Sequence, residues 1–130
     1  MAELSTFLMF QGKAEEALNF YVDTIPGSQI DSIQRFGPEG PGAEGTIMLA
    51  LFQLAGQPMR MTDSPAVHDF DFTPSVSLFF ETKEADEFET ITATLAEGGS
   101  FMMPPDNYGF STKFAFLVDR FGVSWQINLV

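Results

Sequence analysis

Arg60 stands between Met59 and Met61 in a predicted strand. A guanidinium carried on an apolar strand suits a carboxylate or phosphate on a small ligand, because its planar fork matches two oxygens at once. Tyr108, in the Asp106-Asn107-Tyr108 loop, is a phenol placed to donate a hydrogen bond to a ligand. His68 is the only histidine and lies beside Asp69 and Asp71. His68-x-x-Asp71 offers two metal ligands at most, and the acids favour the imidazolium, which opposes metal binding. His68 is therefore expected on the surface. With no cysteine, disulfides, a thiol nucleophile and every Cys-based metal site are excluded. A Ser-His-Asp triad would have to pair His68 with a distant serine, so no nucleophile–base pair is expected. The acids Glu15, Glu16, Glu84, Asp86, Glu87 and Glu89 read as solvated helix faces. No catalytic residue emerges.

The chain that must position these groups has 130 residues, a net charge of −12 and 45% apolar content. That length fits one domain, and the composition can bury an ordinary core. The charge argues against nucleic acid and against anionic membranes, since no cationic surface is available to displace counterions. No cationic segment followed by a long apolar core opens the chain. The longest nearly apolar run, Ile47 to Ala55, is far short of the roughly 20 residues of a spanning helix. A cytoplasmic protein is expected.

Apolar spacing predicts a strand over Leu4–Phe10, and a helix over Lys13–Asp23 whose stripe is Ala14, Ala17, Leu18, Tyr21 and Val22. Strands follow at Ser28–Phe36, Thr46–Leu54 and Gln57–Thr62, then a linker over Asp63–Pro74. The pattern repeats: strand Ser75–Phe80, helix Glu84–Glu97, strand Ser100–Met103, a loop at Pro104-Pro105-Asp106-Asn107, and strands Ser111–Val118 and Val123–Leu129. At an offset of 70, Phe10 meets Phe80 and Leu18 meets Phe88. At an offset of 66, Met48-Leu49-Ala50-Leu51 meets Phe114-Ala115-Phe116-Leu117. Each half, about 1–65 and 70–130, is thus a βαβββ module. One helix cannot cover both faces of a four-stranded sheet. Two modules are expected to form a curled mixed sheet around a cavity, in a single α+β domain.

The run Asp119-Arg120-Phe121-Gly122-Val123-Ser124-Trp125 resembles the C-terminal stretch of PhnB-like proteins, of the glyoxalase/bleomycin-resistance/dioxygenase (vicinal-oxygen-chelate) superfamily. Leu8-Met9-Phe10-Gln11-Gly12-Lys13-Ala14-Glu15-Glu16-Ala17 is similar to that family's first strand and helix, with Lys13 where typical members have Asn. The resemblance implies the paired βαβββ fold and a homodimer. It also implies metal-ligand positions on strands one, four, five and eight, filled in the superfamily's enzymes by His, Gln or Glu. Carried onto this chain, those positions are Ser5, Arg60, Ser75 and Gln126, with Arg60 pointing inward. Two hydroxyls, an amide and a fixed cation are a poor set for a divalent ion. Strand alternation puts Phe7 on the face of Ser5.

The expected function is a metal-independent small-molecule-binding protein with no cofactor, whose ligand is met by Ser5, Phe7, Arg60, Ser75, Tyr108 and Gln126. The net charge would favour a cationic ligand, and an inward Arg60 argues against one. The alternatives are a metal-dependent lyase, isomerase or dioxygenase of the same superfamily, and a non-catalytic dimeric partner protein. Family members often carry a 3-demethylubiquinone methyltransferase label. That chemistry is not supported here, because no glycine-rich strand-to-helix turn of the Rossmann type is present.

Overall fold

Two short helices and eight strands follow the apolar pattern, in a computed structural model that describes residues 2–130. The order is β1 (Thr6–Phe10), α1 (Ala14–Thr24), β2 (Gln29–Arg35), β3 (Ile47–Leu54), β4 (Gln57–Asp63), β5 (Leu78–Thr82), α2 (Ala85–Ala96), β6 (Ser100–Asp106), β7 (Lys113–Val118) and β8 (Ser124–Leu129). The strands form two four-stranded mixed sheets, ordered β1-β4-β3-β2 and β5-β8-β7-β6. In each, the first strand pairs parallel with the last of its module and the remaining pairs are antiparallel. The chain divides into two compact units, Met1–Asp69 and Phe70–Val130, each carrying one sheet and one helix. This is the α+β paired βαβββ architecture expected. Among the described residues no helix is long and apolar enough to cross a membrane.

In the first unit α1 buries Ala14, Ala17, Leu18 and Tyr21 against β3 and β4. Pro26 forces the residue before it out of the helical region, and Ile25 is extended at φ −92°, ψ 118°. At the other end Lys13 gives no side-chain cap. The orphan N–H of Ala14, the first residue of the helix, is met instead from 49 residues away in sequence, by Asp63. One carboxylate oxygen accepts from Gly12 N (2.7 Å) and Ala14 N (3.0 Å), and the other accepts from Ile47 N (3.0 Å). Asp63 was expected to open a linker. It is instead the last residue of β4 and is buried. Fixed N–H donors make that burial tolerable.

The second unit repeats the design with different groups. Phe88, Ile91 and Leu95 of α2 face β7 and β8. Thr82 Oγ1 accepts from Glu84 N (3.0 Å) and donates to Glu87 Oε1 (2.6 Å), which fixes the start of α2. Gly98, at φ 78°, reverses the chain after α2. Gly99 then passes so close to the Val118 carbonyl that no Cβ fits. Asp119 is this unit's buried clasp. Its Oδ1 accepts from Phe121 N (2.8 Å) and Val123 N (3.1 Å), and its Oδ2 from Trp125 Nε1 (2.9 Å).

Two further departures have local causes. β6 runs through Pro104 and Pro105 to Asp106, where a loop was expected. It is the sheet's outer strand and its register with β7 is irregular, and edge positions and bulges are where proline's missing N–H does no harm. β5 starts at Leu78 rather than Ser75, because Pro74 and Ser75 lie in a turn.

Candidate functional site

Alternation along β4 decides which way Arg60 points. Met59 and Met61 are buried on the helix side, so Arg60 projects from the opposite, open face of the first sheet. There the register lines up Phe7, Arg60 and Leu51 across β1, β4 and β3. Phe7 is 53% exposed, and the Arg60 side chain keeps 41% of its surface in solvent. Its Nε donates to Ser5 Oγ at 3.2 Å, across 55 residues of sequence. Its Nη2 stands 4.0 Å from Glu3 Oε1, an ion pair beyond hydrogen-bond range. The guanidinium is thus oriented by one hydroxyl while most of its N–H groups remain open to a ligand.

Arg60 lines a cleft of about 270 Å³ together with Glu3, Ser5, Asp31, Leu51, Gln53 and Pro58. Asp31 sits at a bulge of β2. Its carboxylate accepts from Gln29 Nε2 (2.7 Å) and Gln53 Nε2 (3.1 Å). The hydrogen bond from Gln29 first, and that from Gln53 second, hold the Asp31 carboxyl below its ordinary value. Neither Glu3 nor Asp31 was anticipated. A Gln29–Gln53 cross-strand pair closing on an acid leaves no mark in the local sequence.

In the second unit an equivalent row runs Phe79, Gln126, Phe116 across β5, β8 and β7. Gln126 occupies the register place that Arg60 holds in the first unit. Ser75 is exposed in its turn, with its Oγ 3.1 Å from Thr73 Oγ1. The residue standing to Phe79 as Ser5 stands to Phe7 is Ser77. Tyr108 donates its hydroxyl proton to Pro104 O at 2.6 Å, which leaves the phenol oxygen as an acceptor. Its ring stacks on Phe110, and both rings meet Phe114 edge-on. The structure therefore joins Ser5 and Arg60 directly and sets Phe7 beside them. Ser75, Tyr108 and Gln126 belong to the other unit.

Comparison with known proteins adds lineage to this geometry. The family model described as 3-demethylubiquinone-9 3-methyltransferase matches residues 2–128. A solved structure from Bacillus cereus, described as a putative 3-demethylubiquinone-9 3-methyltransferase, PhnB protein, is 46% identical. It covers 99% of this chain and 100% of its own, with a TM-score of 0.96. The chain belongs to this PhnB-like family. Protein YjdN of Escherichia coli strain K12 is 24% identical to it over 98% of this chain and 95% of its own length. A fosfomycin resistance protein, FosX, from Listeria monocytogenes was solved with Mn(II) and 1S,2S-dihydroxypropylphosphonic acid. It is 11% identical, covers 100% of this chain and 94% of its own, and has a TM-score of 0.63, a likeness of fold.

The superfamily's metal is a poor match to the residues of this PhnB-like chain. Of the positions that the resemblance implies for metal ligands, Arg60 carries a fixed positive charge and the Ser5 hydroxyl already accepts its Nε–H. Among the described residues no three His, Cys, Asp or Glu side chains gather in a way that could hold a metal ion. His68, the remaining candidate, lies 2.8 Å from Ser64 Oγ through Nε2, and its backbone N donates to Gln11 Oε1 (3.2 Å). The diagnostic Asp119–Trp125 run proves to be the Asp119 clasp, which shapes the β7–β8 turn and the core.

Proposed function

We propose that this PhnB-like protein binds a small organic anion on Arg60, with no metal between protein and ligand. The observation that carries the reading is the oriented, half-exposed guanidinium beside a 270 Å³ cleft, on an open sheet face with Phe7 and Leu51 for apolar contact. A divalent ion such as the Mn(II) of the FosX structure would meet a like charge here. Methyl transfer gains no support from the geometry. The β1–α1 turn holds a single glycine, Gly12, whose N–H goes to Asp63, so it does not form the glycine-rich strand-to-helix turn of a Rossmann-type cofactor site. The reading includes a homodimer, supported by Phe7, Phe79 and Phe110, each more than half exposed. Light scattering on the eluting protein measures that directly, and a monomer mass removes it.

Titration calorimetry with hexanoate and inorganic phosphate, on the wild type and Arg60→Ala, tests the anion site. Losing the charged hydrogen bonds should weaken binding about 10-fold or more. Unchanged binding overturns the reading. Thermal unfolding after EDTA, then with Mn²⁺, Fe²⁺, Co²⁺, Ni²⁺ or Zn²⁺ added singly, tests the metal half. Binding at about 100 times the dissociation constant stabilises by roughly 2.7 kcal/mol and would raise the midpoint by several degrees. No rise is expected, and a clear rise with one metal moves the protein to the metal-dependent enzymes.

A further inference from the structure

The cleft around Arg60 carries two carboxylates against one guanidinium: Glu3 and Asp31 both line it. Glu3 stands at the Arg60 end, 4.0 Å from Nη2. Asp31 stands at the other end, on β2, separated from β4 by β3. Two strand spacings put the backbones of Arg60 on β4 and Asp31 on β2 about 10 Å apart. The amide donors of Gln29 and Gln53 keep the Asp31 carboxylate ionised and aimed. Among the described residues no cation pairs with it; its partners are those two amides. A simple anion entering this cleft would settle on Arg60 and still face an uncompensated carboxylate. A simple cation would meet Asp31 and leave the open N–H groups of Arg60 without an acceptor. Between the two ends lie Leu51 and Pro58, an apolar stretch that suits methylene groups.

We infer that the ligand of this site is a small zwitterion, with a carboxylate or similar anion on Arg60 and Ser5, an ammonium on Asp31, and a short apolar spacer over Leu51. The inference rests on the reading of Arg60 as an anion anchor and adds the second charge. The cleft lies below the usual 300–1,000 Å³ of drug-sized sites, which fits a ligand of amino-acid size.

Three probes of equal length separate the possibilities: hexanoate, 6-aminohexanoate and hexylamine, titrated by NMR at low salt. Expected is 6-aminohexanoate binding about 5-fold more tightly than hexanoate, the upper range for an exposed ion pair, and hexylamine binding most weakly. Asp31→Asn should abolish that advantage and leave hexanoate as tight or tighter. Arg60→Ala should weaken both acids. Asp31 is exposed, so its amide variant keeps the fold, which far-UV circular dichroism checks. Equal affinity of the two acids, or an advantage that survives Asp31→Asn, overturns the zwitterion while hexanoate's loss in Arg60→Ala still upholds the anion site. Binding of both acids that ignores Arg60→Ala, or no binding of either, overturns both.

Discussion

Replacing Asp63 by alanine removes a single side chain from three places at once. Its carboxylate accepts from Gly12 N, Ala14 N and Ile47 N, at 2.7, 3.0 and 3.0 Å. Ala14 and Ile47 are fully buried, so their freed N–H groups cannot turn to water, whereas exposed Gly12 can. A buried donor left without a partner costs about 1–3 kcal/mol. Two such donors, less the desolvation no longer needed for the carboxylate, place the loss at about 2–4 kcal/mol. Against a total of about 5–15 kcal/mol, that is a large fraction. At about 3–4 °C per kcal/mol for a chain of this size, the midpoint should fall by about 6–16 °C. Urea unfolding at pH 7, followed by far-UV circular dichroism, gives the free-energy difference. Asp63→Asn keeps one carbonyl acceptor and should lose roughly half as much. Asp71→Ala is the control. That acid caps only its neighbour, Phe72 N, on the surface, and should change stability by less than about 0.5 kcal/mol. Amide exchange at Ala14 and Ile47 should accelerate in Asp63→Ala more than elsewhere. A loss below about 1 kcal/mol, or unaltered exchange at both amides, would refute the clasp.

Gly99→Ala would drive a methyl into the Val118 carbonyl and should cost about 2–3 kcal/mol in urea unfolding, whereas Gly37→Ala, with open space around it, should be near neutral. Equal effects would mean that the close approach at Gly99 is not what limits the residue there. Trp125→Phe leaves Asp119 Oδ2 without its indole donor in the core and should cost about 2–3 kcal/mol. A cost no greater than the lost ring volume accounts for, about 1 kcal/mol, would deny the hydrogen bond its part. Glu15 pairs with Arg35 at 2.6 Å, and that hydrogen bond, ahead of the charge attraction, lowers its carboxyl below the ordinary value. A lowered folded value means the contribution is present at neutral pH and is lost as pH falls through it. The gap in melting temperature between wild type and Glu15→Gln should therefore be small at pH 7 and close in acid, and a gap that widens in acid contradicts the pairing.

Secondary structure was legible in this chain wherever one face had to be buried. The stripe of Ala14, Ala17, Leu18 and Tyr21 has no other use than a helix packed on a sheet. Arg60 was expected to point inward; burial of Met59 and Met61 on the helix side sets it on the opposite, open face of its sheet. What the sequence concealed is long-range. Asp63 looked like linker because Ser64 and Pro65 follow it, while the donors that explain it lie 16 to 51 residues away. Ser75 lies in a turn ahead of β5. Its place in the expected site comes from matching Phe10 with Phe80 and counting five residues back, whereas the strand register aligns Phe7 with Phe79, two residues further. The module connections differ in length, and an internal repeat reports each element separately. Asp31 was invisible because a bulge, not alternation, aims it at the cleft.

The clasp around Trp125 also gives the protein an optical address. The indole is the only one in the chain and lies in the core of the second unit, hydrogen-bonded to a carboxylate. Its emission therefore reports on Phe70–Val130 alone, while the far-ultraviolet signal of the two helices reports on both units. Denaturant curves recorded at the two wavelengths superimpose if the units melt together and separate if they do not. A destabilising change in the first unit, such as the loss of Asp63, becomes a way to ask one half of an internal repeat whether it needs the other.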